Sequence, residues 1–248
     1  MRKKVVAGNW KMHMTPGEGA AFAKEIAPKF NPGVEAVLCA PYTSLAPVAA
    51  AIAHSAVGLG AQNVHFEAKG AFTGEISAAM LLELGVKYAI VGHSERRAYF
   101  GETDEIVNKK LLAAAGASLV PIVCVGEGLA QREQGITEDL LRLQTRIAYG
   151  GVDKKTALGT IIAYEPVWAI GTGKTATPQQ AQEACACIRE LLATIYDKDA
   201  AAQMRILYGG SVTAANAAEL FAMPDIDGGL VGGASLKADF AEIVNAAL

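Results

Sequence analysis

Short apolar runs rich in Val, Ile and Leu recur along the chain, separated by longer segments rich in Ala, Leu, Glu and Lys. The runs are Lys4–Asn9, Ala36–Ala40, Val57–Gln62, Tyr88–Gly92, Leu119–Val125, Thr160–Glu165, Arg205–Tyr208 and Gly229–Val231. They are nearly continuous in apolar residues rather than alternating, the pattern of parallel strands covered on both faces. Helical spacing fills Gly17–Ala27, Ser44–Ala53, Ser77–Leu84, Asp104–Ala115, Thr137–Tyr149, Pro178–Tyr196, Ala214–Phe221 and Lys237–Ala246. Eight strand–helix units in 248 residues leave about 31 residues for each, the size of one βα repeat. The expectation is one α/β domain over residues 1–248, a closed (β/α)8 barrel of parallel strands with outer helices. An open doubly wound sheet is the alternative. No linker or shift of composition marks a boundary. Glycines gather just after strands, at Gly92, Gly126, Gly209, Gly210, Gly232 and Gly233. In either architecture the carboxyl ends of the strands carry the chemistry.

Composition narrows the function classes. Hydrophobic residues make up 52% of the chain, but 47 of its positions are alanine. The longest apolar stretch, Leu111 to Gly126, is interrupted by Gly116, Ser118 and Pro121. It is shorter than the ~18 uninterrupted residues of a membrane span. With 19% charged residues and a net charge of −3, a bulk grip on nucleic acid or anionic lipid is not expected. An anionic small substrate remains open, since a few local donors hold one whatever the net charge. Cys39, Cys124, Cys185 and Cys187 show no zinc-ligand spacing, so no metal is expected and the thiols read as buried and reduced. Basic residues at Arg2, Lys3 and Lys4 precede an apolar run too short for a signal segment, which reads as a cytoplasmic protein.

Polar residues at strand ends are the candidates for chemistry. Glu165 ends the apolar run Ile161-Ile162-Ala163-Tyr164. A carboxylate among apolar neighbours is poorly hydrated and more basic, which suits proton abstraction; a satisfied structural carboxylate is the alternative. His93 follows Val91-Gly92 and precedes Ser94-Glu95-Arg96-Arg97. A helix starting at Ser94 or Glu95 would disfavour a charge on its ring and leave a neutral imidazole to donate or relay a proton. Lys11, with Asn9 beside it, could hold a phosphate or polarise a carbonyl. Gly171 to Thr175 looks like a nucleotide loop. Trp168 stands where the phosphate-loop pattern needs glycine, while Gly171, Gly173 and Ala176 match the dinucleotide spacing. This segment reads better as a lid between a strand and a helix. Gly209-Gly210-Ser211 and Gly232-Gly233-Ala234-Ser235 follow the last two strands, where glycines let backbone N–H groups approach an anion.

Together these segments closely resemble the triosephosphate isomerase family. The resemblance is carried by Gly8-Asn9-Trp10-Lys11-Met12, Val91 to Arg97, Ala163 to Gly173, Tyr208-Gly209-Gly210-Ser211-Val212 and Val231 to Ser235. These pieces span residues 8 to 235 in the family's order and spacing. The resemblance implies a single TIM barrel and the cofactor-free interconversion of dihydroxyacetone phosphate and glyceraldehyde 3-phosphate. It assigns the base to Glu165, proton transfer at the substrate oxygens to His93, and positive charge to Lys11, with Asn9 and Glu95 in support. It places the phosphate on backbone N–H groups near Gly171, Ser211, Gly232 and Gly233. The lid would comprise Pro166, Val167, Trp168, Ala169, Ile170, Gly171, Thr172, Gly173, Lys174 and Thr175, with Ile170 and Leu230 drying the carboxylate. The family is a homodimer through its long third loop, which implies interface roles for Gln62, Phe72, Thr73 and Gly74. A partner's loop tip would then come near Lys11 and Glu95.

Overall fold

The computed structural model describes residues 2–170 and 175–248. Eight parallel strands hydrogen-bond in chain order and close on themselves. They are β1 (Val5–Asn9), β2 (Glu35–Ala40), β3 (Gly58–Ala61), β4 (Tyr88–Val91), β5 (Val120–Val125), β6 (Ile161–Tyr164), β7 (Arg205–Tyr208) and β8 (Gly228–Val231). β8 pairs with β1, Leu230 opposite Ala7, so the sheet has no edge and the open-sheet alternative is excluded.

The strands bury both faces, for two different reasons. Val5, Ala7, Val37, Cys39, Ile90, Ile122, Ile161, Ala163, Leu207 and Leu230 point inward and form one apolar cluster inside the barrel. Their neighbours Val6, Leu38, Ala89, Val91, Val123, Ile162, Ile206 and Val231 point outward and join the larger cluster beneath the helices. The inner space is tight. A Cβ at Gly58 would lie 2.5 Å from the Tyr88 ring, and one at Gly60 would lie 2.5 Å from Cys39 Sγ. Glycine in β3 thus makes room for larger residues on β2 and β4.

The helices begin where side chains satisfy their first N–H groups. Thr15 with Glu18 and Thr177 with Gln180 form capping boxes, each followed by Pro at the first helical position. Helix Pro178–Ile195 turns Ala181, Ala184, Cys185, Ile188 and Leu192 onto the barrel, the three- and four-residue spacing of an apolar stripe. All four cysteines are buried free thiols. The eight predicted helical segments are present with ends shifted by a few residues; the last shortens to Phe240–Asn245. Short helices at Leu129–Glu133, Lys154–Leu158 and Lys198–Gln203 were not legible in the pattern, because one turn and a half shows no period.

Candidate active site

Side chains alternate along a strand, so each strand's inward row continues to the barrel's carboxyl-end mouth. On β1 the row Val5, Ala7 ends in Asn9, and on β6 the row Ile161, Ala163 ends just past the strand in Glu165. The same count brings Gly126, Gly209 and Gly232 to the mouth after Cys124, Leu207 and Leu230. Gly126 and Gly209 leave the space that Glu165 occupies. A Cβ at Gly126 would sit 1.8 Å from the Glu165 carbonyl oxygen, and one at Gly209 would sit 3.0 Å from Glu165 Cγ. The mouth opens on a cavity of about 770 Å³ lined by Asn9, Lys11, His93, Glu95, Glu165, Ile170, Ser211, Leu230, Gly232 and Gly233, among others.

Glu165 is 2% exposed. Its carboxylate accepts from the Ser94 backbone N–H at 2.8 Å and lies 2.9 Å from His93 Nε2. His93 caps helix Ser94–Phe100, and its Nδ1 accepts from the Glu95 N–H at 3.2 Å. The required helix start is therefore present. This pattern assigns the proton of a neutral ring to Nε2, aimed at the carboxylate. Burial works against charge on both groups, but their mutual attraction outweighs it. The Glu165 carboxyl is held below its usual range by His93, the Ser94 N–H and Lys11. The His93 ring is held above its usual range by Glu165 and, less, by Glu95. Apolar surroundings predicted a more basic glutamate, and the helix start a less basic histidine. Each shifts the other way because the two face each other.

Lys11 stands across the cavity. Its Nζ pairs with Glu95 Oε1 at 2.6 Å and approaches the Cα side of Gly232. Its φ of +50° lies in the left-handed region, a strained position for a long side chain. Both sides of its peptide are held: Asn9 Oδ1 accepts from the Lys11 N–H at 3.0 Å, and Gln62 Nε2 donates to the Lys11 carbonyl at 2.9 Å. Gln62 thus turns its amide into the mouth, where it also reaches the Cys39 carbonyl. Phe72, Thr73 and Gly74 lie apart from these groups, at the exposed tip of the loop after β3. Among the described residues no cluster of His, Cys, Asp or Glu has the make-up of a metal site.

The residues from Pro166 onward leave β6 through a short 3-10 turn, Val167–Ala169. The Val167 N–H donates to the Glu127 carbonyl, and the Trp168 indole donates to the buried Glu127 carboxylate at 2.9 Å. Tyr164 also donates to that carboxylate, and the Arg132 guanidinium covers the Trp168 ring. Glu127 was not legible as a site residue; its only signal is a carboxylate between two glycines just after a strand. Gly171, Thr172, Gly173 and Lys174 lie outside the described residues. The expected phosphate contact at Gly171 and the centre of the expected lid fall there.

Comparison with known proteins gives the chain a family. The family model described as triosephosphate isomerase matches residues 4–247. A triosephosphate isomerase of Carboxydothermus hydrogenoformans is 54% identical over 251 residues, covering 100% of both chains. That of Acetivibrio thermocellus is 56% identical over 239 residues, covering 96% of this chain and 95% of its own. That of Thiobacillus denitrificans is 55% identical over 248 residues, covering 100% and 99%. With the family model and these relatives spanning the barrel from end to end, the chain belongs to the triosephosphate isomerase family.

Proposed function

We propose that Glu165, His93 and Lys11 carry the triose-phosphate isomerase reaction in this chain, the interconversion of dihydroxyacetone phosphate and D-glyceraldehyde 3-phosphate in glycolysis and gluconeogenesis. The carrying observation is a buried carboxylate 2.9 Å from a ring nitrogen whose partner nitrogen is capped by a backbone N–H. Glu165 turns from Ser94 to the substrate, removes a proton from one carbon and returns it to the neighbouring carbon. His93 donates its Nε2 proton to the carbonyl oxygen and relays protons between the two oxygens of the enediolate. As Glu165 leaves the ring, the main influence raising its basicity goes with it, while burial and Lys11 continue to lower it. The ring thereby stays neutral during the reaction.

Lys11 places positive charge beside the developing enediolate and the phosphate, with Asn9 and Gln62 fixing its strained peptide. Glu95 orients the lysine. The phosphate rests on backbone N–H groups at Ser211, Gly232 and Gly233, and at Gly171 of the lid. Residues 166–175 close over the enediolate and exclude water until reprotonation, with Ile170 and Leu230 as the apolar cover. The reaction needs no cofactor, because proton transfer is its only chemistry. No described helix is long and apolar enough to cross a membrane. From its place in glycolysis we assign the enzyme, as one domain over residues 1–248, to the cytoplasm.

We infer a homodimer from the segments that follow β1, β3 and β4, each of which carries a large exposed apolar side chain. Met12 is 95% exposed, Tyr99 78% and Phe72 42%, large apolar side chains that a partner surface would cover. The test of the reaction is a coupled assay with glyceraldehyde 3-phosphate. Glu165→Gln should lose at least ~10²–10⁴-fold in turnover while inorganic phosphate still binds, since the amide keeps the shape and cannot take the proton. A Gln variant retaining about a tenth of wild-type turnover would assign the base elsewhere.

A further inference from the structure

Arg97 lies on the helix that His93 caps, yet it does not face the cavity. Its guanidinium turns back under the ends of two strands. Nε donates to the Gly92 carbonyl at 2.7 Å, and one terminal nitrogen donates to the Cys124 carbonyl at 3.0 Å. The other terminal nitrogen pairs with Asp104, the first residue of helix Asp104–Gly116. Both side chains of that ion pair are largely covered.

The position of these two carbonyls gives the arrangement its meaning. Pairing of β4 with β5 ends at Val91 opposite Val123. The chain then turns at Gly92, with φ +71°, to deliver His93. Successive carbonyls of a strand point to alternate sides. Val125 points toward β6 and accepts the Glu165 N–H at 2.8 Å. Cys124 therefore points toward β4, where the turn at Gly92 has withdrawn the next backbone donor. Arg97 supplies that donor and holds the Gly92 carbonyl as well. One planar group thus closes the β4–β5 seam between the strand that delivers His93 and the strand that supports Glu165.

We propose that Arg97 is a positioning residue for the isomerisation, its guanidinium setting the separation of His93 and Glu165 by stitching the ends of β4 and β5. The proposal rests on the assignment of those two residues to the reaction. Asp104 aims the fork, and three acceptors in different directions suit guanidinium, whereas an ammonium is a single compact charge. Lysine would keep the charge at residue 97 and lose the stitch. The phosphate loops at Ser211 and Gly232 follow β7 and β8, on another part of the rim, and should not feel the change.

The experiment compares Arg97→Lys, Arg97→Met and Asp104→Asn with wild type and with Glu165→Gln. Expected for the lysine variant is a fall in kcat of about 10–10²-fold, the effect of a displacement of about 1 Å, with little change in KM or in inhibition by inorganic phosphate. Nitrogen NMR of His93 should show loss of the single Nε2-protonated form, and Asp104→Asn should give the same signature more weakly. A lysine variant with wild-type kcat and wild-type His93 signals would overturn the proposal. So would a parallel loss of kcat, phosphate affinity and melting temperature, which marks a general packing role. If Arg97→Met does not fold, the lysine and Asp104 variants decide alone. Inactive Glu165→Gln beside fully active Arg97 variants would sink the positioning role and leave the assignment of the base intact.

Discussion

At the scale of the residue, the active geometry depends as much on missing atoms as on present ones. Gly126 faces the Glu165 carbonyl so closely that a methyl group there would displace the Glu165 peptide. Gly126→Ala should therefore fold around a shifted base. A displacement of about 1 Å can cost about 10²-fold in rate, so kcat should fall steeply while inorganic phosphate inhibits as before. Equal loss of both would show instead that the whole mouth had collapsed. Sequence reasoning pointed to Glu165, His93, Lys11 and Asn9 because the carboxyl ends of strands are where a parallel fold displays its chemistry, and the structure brings the four to one cavity. It did not find Ser94, which contributes a backbone N–H on the carboxylate, and it gave Gln62 an interface role without foreseeing its amide on the Lys11 carbonyl. Nor did it foresee the sense of the Glu165 and His93 shifts. That sense depends on two distant stretches of chain meeting at 2.9 Å, and burial alone points the other way.

At the scale of the element, helix Ser94–Phe100 is short but heavily anchored. None of its residues is fully buried, so packing does not explain its fixed position. Charge does. Arg96 and the buried Lys110 both bond Glu102, and Lys110 also donates to Asn63 at 2.7 Å. Burial opposes the ionised Glu102 carboxyl, but Lys110 and Arg96 outweigh it and hold the group below its usual range. Glu102 thus contributes stability that is present above its unfolded value of 4.5 and is lost as pH falls through the lower folded value. Glu102→Gln should cost about 3–5 kcal/mol near neutrality, the cost of breaking a buried pair. The gap from wild type should narrow once pH drops below that unfolded value. Denaturant titrations across this range check it; a gap that stays constant with pH would mean the carboxylate charge is not what anchors the helix. The long helices were legible from spacing and caps, as at Thr177-Pro178 with Gln180. This one was legible only as a start, because seven residues with no buried face display no stripe.

At the scale of the molecule, β8 against β1 closes a barrel that the eightfold repetition of apolar runs already implied. Repetition is a property of pattern, so it survives without coordinates. Association is not, because an exposed Met12 or Phe72 looks the same in sequence whether it meets water or a second copy. The dimer proposal predicts that cutting back residues 68–73 yields monomers of much lower activity, since Lys11 and His93 lose their neighbouring support. Sedimentation at micromolar concentration reads the assembly directly. A wild-type chain that sediments as a fully active monomer would overturn it.

The Tyr88 ring, set against Gly58 inside the barrel, has a wider consequence. Its hydroxyl donates to Glu35 at 2.8 Å, and Arg205 reaches the same carboxylate at 2.8 Å. Above this floor Val5, Val37, Ile122 and Ile161 are fully packed. Among the described residues the barrel is thus a vessel packed at this end and open at the other. Substrate, product, water and any proton lost from Glu165 to the surroundings share a single doorway. A cover over that doorway governs the traffic of matter and the leakage of hydrogen isotope at once. Label lost to solvent during turnover therefore times the opening of the door rather than seepage through the wall.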